Sequence, residues 1–175
     1  MNTDQLADKP RRLAATLKVT DSQLVLAESC TAGLVASTLA SVPRISEHLC
    51  GSMVVYQIPT KLAWLEPDIE IDETNVVSEE TALAMAWGVL LKTLHATVAA
   101  AITGHLGPNI ESPDLDGVAW IAIVDREGKT YSERLELARP DADRFPDGVS
   151  LRLFRQREAC GCLIERIDRF IGRAQ

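Results

Sequence analysis

The stretch LVLAESCTAGLVASTL, residues 24–39, decides the fold. Leu24-Val25-Leu26-Ala27 is a short apolar run of the kind a buried strand makes, and Ala32 to Leu39 reads as a helix. Glu28-Ser29-Cys30-Thr31 is the tight polar turn that joins them. The same alternation continues on both sides of this unit. Asp4 to Leu17 has the spacing of an amphipathic helix, kinked or started near Pro10. Pro43 closes the first sheet-covering helix, and Ser52 to Tyr56 is the second strand. Thr60 to Leu65 forms a short helix with Pro59 at or just before its start.

Further along, Ser78-Glu79-Glu80 carries an N-cap serine and two acids suited to the helix dipole. Leu83, Trp87, Leu90, Leu91 and Leu94 mark one face of the helix that follows, which runs to about His95. Thr97 to Thr103 is small and apolar throughout, as a strand covered on both faces should be. Val118 to Val124 is another strand, Asp125 to Gly128 a hairpin turn, and Tyr131 to Leu137 its half-exposed antiparallel partner. Ser150 to Ile171 closes the chain as a long helix. The expected fold is a single α/β domain over residues 1–175, a three-layer α/β/α arrangement around a mixed, mostly parallel sheet.

The 175 residues carry a formal net charge of −7, which argues against a broad nucleic-acid-binding face. No stretch reaches the roughly 18 apolar residues of a membrane span, and the first 20 residues lack a secretory apolar run. The expectation is a soluble cytoplasmic protein that binds neither nucleic acid nor membrane. The cysteines at 30, 50, 160 and 162 do not have zinc spacing, because Cys160-Gly161-Cys162 is C-x-C. They read as free thiols, and neither a metal nor a cofactor is called for.

Two strand ends are rich enough in polar and turn residues to hold a ligand. Glu28 to Gly33 enters a helix whose unpaired N–H groups can bind an anion, or Ser29 or Thr31 simply caps it. Thr103-Gly104-His105-Leu106-Gly107-Pro108 follows the most buried strand, and its two glycines permit close backbone approach to a ligand or positive φ in a turn. A third element is Ser46 with Lys61, on either side of the second strand. A serine hydroxyl needs a base, and a lysine can serve when desolvation lowers its pKa. Tyr56 lies between them.

Taken in order, these segments resemble the C-terminal domain of the CinA family, the nicotinamide-nucleotide amidohydrolases. The family's A-E-S-C-T-G-G is matched by Ala27 to Gly33 with one difference, at Ala32. Its serine after a turn, followed by Tyr and Lys, is matched by Ser46, Tyr56 and Lys61. V-S-E-E is Val77 to Glu80, M-A-x-G is Met85 to Gly88, T-G-x-x-G-P is Thr103 to Pro108, and G-x-x-W is Gly117 to Trp120. The resemblance implies hydrolysis of nicotinamide mononucleotide to nicotinate mononucleotide and ammonia, without a metal.

On that resemblance Ser46 is the nucleophile, Lys61 its base, and Tyr56 helps orient Lys61. Glu28, Ser29, Thr31, Gly33, Thr103, Gly104 and Gly107 then belong to the substrate-binding set. The family's arginine near the last helix is assigned to Arg152, with Arg144 in reserve. After Pro108 the family's Gly-Gly and Lys-Pro are replaced by Asn109 to Asp116, with acids at Glu111, Asp114 and Asp116. That departure motivates an alternative, a non-catalytic or re-purposed paralogue that binds a nucleotide. An isologous homodimer is the base-rate expectation.

Overall fold

The computed structural model describes residues 3–107, 113–139 and 150–172, with side chains from Asp8 onward. Among the described residues five α-helices and five strands follow one another: α1 (Thr3–Val19), β1 (Leu24–Glu28), α2 (Leu34–Ala40), β2 (Leu49–Val54), α3 (Ile58–Leu65), α4 (Glu79–Lys92), β3 (Val98–Gly104), β4 (Val118–Asp125), β5 (Thr130–Glu136) and α5 (Leu151–Gly172). The strands form one mixed sheet in the order β2-β1-β3-β4-β5. β2, β1 and β3 run parallel, whereas β4 and β5 are antiparallel additions.

Alternation along the central strands divides the core in two. Leu24, Leu26, Val98, Ala100 and Ile102 face α1, α2 and α5, where they meet Leu13, Leu17, Val35, Leu39, Leu163 and Ile167. Val25, Ala27, Ala99 and Ala101 face the opposite way, onto Leu65 of α3 and Ala82, Met85, Ala86 and Val89 of α4. This is the expected three-layer α/β/α arrangement. Among the described residues no helix is long and apolar enough to cross a membrane.

Three local expectations are corrected. α1 runs from Thr3 to Val19 with Pro10 inside it, so the helix does not start there. Packing of Leu13 and Leu17 in the core, with Arg12 and Thr16 both bonded to Asp168 of α5, outweighs the missing hydrogen bond. β2 begins at Leu49, three residues earlier than expected, and leaves Tyr56 outside the strand. Ladder pairing with β1, through a register shift at Leu24/Val25, holds the weak strand formers Cys50 and Gly51 in the sheet. Leu90 is buried and Leu83 and Trp87 pack on the core as expected, but the buried face of α4 centres on Ala82, Met85, Ala86 and Val89, and Leu91 and Leu94 are 63% and 85% exposed. Small side chains let this helix lie close to a sheet face that is itself mostly alanine, so size complementarity decides over bulk hydrophobicity. Ser78 caps α4 as expected, its hydroxyl accepting from Thr81 N–H, a contact worth about 1 kcal/mol.

Candidate functional site

The site is built where β1 and β3 end side by side, at the point where the chain's crossovers change faces. In open α/β sheets this is the crevice in which ligands sit. Ser29, the first residue beyond β1, donates its N–H to Ile102 O at 3.0 Å. β1 is buried along its whole length, so Ser29 is delivered to this crevice by a rigid strand.

The Glu28 side chain is turned into the start of α2. Its carboxylate is fully buried and accepts five hydrogen bonds: from the hydroxyls of Thr31 (2.8 Å) and Ser52 (3.1 Å), and from the N–H groups of Gly33 (3.0 Å), Val35 (3.0 Å) and Ala36 (2.9 Å). The anion expected at the start of α2 is therefore an internal carboxylate. Thr31 and Gly33 belong to the same cap, with Gly33 at φ +93, a left-handed turn conformation suited to glycine. The Glu28 carboxylate, the Thr31 hydroxyl and Gly33 N–H, expected to meet substrate, are thus joined to one another in an internal cap. The N–H groups of Cys30 and Thr31 enter no backbone–backbone hydrogen bond among the described residues.

Lys61 is fully buried on α3. Its Nζ donates to Ser29 Oγ at 2.9 Å, Val55 O at 2.8 Å and Tyr56 O at 3.2 Å. Burial without a carboxylate partner pushes its pKa down from 10.5 to about 8. The two carbonyls hold two of the amine's positions, so the third faces Ser29. When the amine is neutral, that third position is a lone pair able to take the serine proton. Burial pushes the neighbouring Cys30 thiol up to about 12, which keeps it protonated and inert as a nucleophile.

Ser46 does not meet Lys61. It is exposed in the 3₁₀ turn Ile45–Glu47, ahead of β2, whereas Lys61 lies beyond the other end of that strand. Six residues of strand separate the two by on the order of 20 Å. The Ser46–Lys61 pair is therefore corrected to Ser29–Lys61. Tyr56 does hold Lys61, but through its carbonyl. Its half-exposed ring instead carries the hydroxyl to Arg152 Nη2, 2.5 Å away. Arg152 thus reaches the rim of the site, and Arg144 lies outside the described residues.

On the β3 side, Thr103 is buried and its hydroxyl donates to Val76 O at 2.7 Å, tying down the loop before α4. The two glycines answer packing demands. A methyl at Gly104 would sit 2.6 Å from Ala119 Cβ, and one at Gly107 would sit 1.8 Å from Asp116 Oδ1 and 2.6 Å from Arg155 Nη1. Gly104 is thus held against β4, and Gly107, at φ +60, is the positive-φ turn residue, packed against an ion pair.

That ion pair was not foreseen from the sequence. Arg155, fully buried on α5, donates to Asp116 Oδ1 at 2.8 Å and Oδ2 at 3.2 Å, and also to Leu106 O and Ala138 O. The signal was available: Arg155 falls one helical turn before Ala159 and two before Leu163, on the buried stripe of α5. The 109–112 part of the divergent loop lies outside the described residues, but Asp116 is turned onto Arg155.

Ser29, Lys61, Tyr56 and Arg152 thus gather at one strand end, which the chain leaves through Cys30 and Thr31. All four cysteines are free thiols, and among the described residues no group of His, Cys, Asp and Glu is placed to hold a metal.

The model of the CinA C-terminal domain matches residues 7–146. A CinA-like protein of Myxococcus xanthus (strain DK1622) is 37% identical over 147 residues, covering 81% of this chain and 34% of that protein. A CinA-like protein of Mycobacterium tuberculosis (strain ATCC 25177 / H37Ra) is 33% identical over 142 residues, covering 79% and 33%. The chain thus spans about a third of the length of these curated relatives. Among solved structures, the competence damage-inducible protein A of Klebsiella pneumoniae superimposes with a TM-score of 0.82 at 22% identity, over 97% of this chain and 99% of that one. The competence/damage inducible protein CihA of Agrobacterium tumefaciens gives 0.81 at 25% identity, over 100% and 99%.

Proposed function

The chain belongs to the CinA C-terminal domain family, and we propose that it hydrolyses the carboxamide of nicotinamide mononucleotide or a close relative, with Ser29 as nucleophile and Lys61 as base. One observation carries this reading: a buried lysine without a carboxylate lies 2.9 Å from the hydroxyl of a serine at a strand end. At neutral pH about one lysine in ten with a pKa near 8 is unprotonated.

Neutral Lys61 takes the Ser29 proton as Oγ attacks the carboxamide carbon. The carbonyl oxygen becomes an oxyanion, for which the N–H groups of Cys30 and Thr31 are the candidate donors. Lys61 passes the proton to the departing nitrogen, ammonia leaves, and an ester on Ser29 remains. Water then attacks the ester while Lys61 accepts its proton. Collapse of this second intermediate returns the proton to Ser29 Oγ and frees nicotinate mononucleotide. Arg152, held by the Tyr56 hydroxyl, supplies a cation for the phosphate.

Ammonia release from nicotinamide mononucleotide by the purified protein tests the proposal. Ser29→Ala and Lys61→Ala should each lower the rate about 10²- to 10⁴-fold. Full activity in Ser29→Ala would overturn the mechanism. Tight binding of the mononucleotide without ammonia release would instead leave a nucleotide-binding paralogue.

A further inference from the structure

Two peptide groups lead away from Ser29, and they carry the N–H groups of Cys30 and Thr31. The Ser29–Cys30 peptide is fixed within its own turn, because its carbonyl accepts from Ala32 N–H at 3.0 Å. Among the described residues no backbone N–H of the turn donates to the carbonyl of the Cys30–Thr31 peptide. That carbonyl accepts instead from a side chain 126 residues further along, Gln156 Nε2 of α5, at 3.1 Å. The turn also holds Ala32 at φ +53, a left-handed conformation that an alanine keeps only under restraint from its surroundings. Gln156 lies on a stripe of α5 that recurs every fourth residue. Arg152 reaches the Tyr56 hydroxyl, Gln156 reaches Cys30 O, and Cys160 Sγ lies 3.5 Å from Thr38 Oγ1. Arg155, next to Gln156 in the chain, is buried in its ion pair with Asp116, which holds this part of α5 in place.

We propose that Gln156 is a positioning residue for the hydrolysis: its amide holds the Cys30–Thr31 peptide in the orientation that offers Thr31 N–H to the oxyanion. The two faces of the sheet supply the geometry. Leu26 and Cys30 belong to the core layer that meets α5, whereas Val25 and Ala27 face α3 and α4. Lys61 reaches Ser29 from α3. A trans peptide points its C=O and its N–H in opposite directions. Drawing Cys30 O toward α5 therefore turns Thr31 N–H away from α5, to the side from which Lys61 meets Ser29. A peptide turned over would set a carbonyl oxygen there, and two oxygens bearing negative charge repel. The proposal rests on the Ser29–Lys61 reaction, and it gives Gln156 no contact with substrate.

Gln156→Met keeps the length of the side chain and removes its donor. With nicotinamide mononucleotide as substrate, kcat should fall about 10- to 100-fold with KM changed less than about twofold, a smaller loss than deleting an oxyanion donor outright. Gln156→His, whose Nε2–H reaches about as far as the amide, should recover most of the rate. In protein labelled with ¹³C and ¹⁵N, the Cys30 carbonyl carbon and the Thr31 amide nitrogen should shift in Gln156→Met and return in Gln156→His, with Tm close to that of the wild type throughout. An active wild type whose Gln156→Met variant keeps full kcat would overturn the inference and leave the reaction standing. A wild type that releases no ammonia would overturn the reaction, and the inference with it. A loss of kcat that Gln156→His does not recover, or that leaves the Cys30 and Thr31 resonances unmoved, would assign the effect to packing and overturn the inference alone.

Discussion

Among the described residues the two largest fully buried side chains, Arg155 and Lys61, are both cations, and the protein uses them in opposite ways. Arg155 sits between α5 and the loop after β3, and Asp116 answers its charge with both carboxylate oxygens. Lys61 sits between α3 and the end of β1, where its partners are two carbonyls and a hydroxyl. A guanidinium stays protonated at any ordinary pH, so it can be buried only with a counter-charge. An amine has another way out, because it can release its proton. The same burial therefore produces a fixed joint in one region and a latent base in the other.

The largest test of this contrast exchanges the two chemistries. Lys61→Arg keeps a cation and its donors but cannot give up a proton, so ammonia release should fall about 10²- to 10⁴-fold. Initial-rate measurements would break the comparison if the arginine variant stayed active. On the other side, Asp116→Ala strands the Arg155 guanidinium, a loss of about 3–5 kcal/mol. Thermal unfolding should show it as a fall in Tm of roughly 10 °C or more. Asp116→Leu combined with Arg155→Met should recover most of that stability.

The smallest effect to be read is the dependence on pH. Because Lys61 must be neutral to act, the rate should rise about tenfold per pH unit up to about 8 and then level off. Stability carries the matching sign. With its pKa lowered from 10.5 to about 8, Lys61 binds its proton less well in the folded protein than in the unfolded chain. Between those values the unfolded chain holds more protons, so raising pH across that window should stabilise the wild type relative to Lys61→Met. A flat difference in melting temperature over this range would contradict the lowered pKa.

The elements that could be read from the sequence were those with a local cause. The unbroken small apolar run of β3 needs covering on both faces, and Ser78 with Glu79 and Glu80 can only open a helix. Glu28 to Gly33 was recognisable as a specialised turn, although its acid proved to be the helix's own anion. The Ser46–Lys61 pair failed because spacing does not say which end of a strand a residue occupies. Extending β2 by three residues toward its start carried Ser46 away from Lys61. Ser29, fixed by long-range pairing with β3 and by α3, had no local mark that set it above Ser46. Arg155 was missed as one more charge in a charged helix, even though it lay on the apolar stripe.

The cap made by Glu28 has a consequence for how the molecule breathes. α2 has only seven residues, a length at which an isolated helix is scarcely stable and its first turn frays. Here the amide protons of Gly33, Val35 and Ala36 end on a carboxylate anchored at the end of a central strand. Opening them means withdrawing Glu28, and so disturbing the strand that carries it. In deuterated solvent these three amides would keep time with the sheet and lag behind the exposed ends of the longer helices. The turn that presents Ser29 should thus open as slowly as the core beneath it.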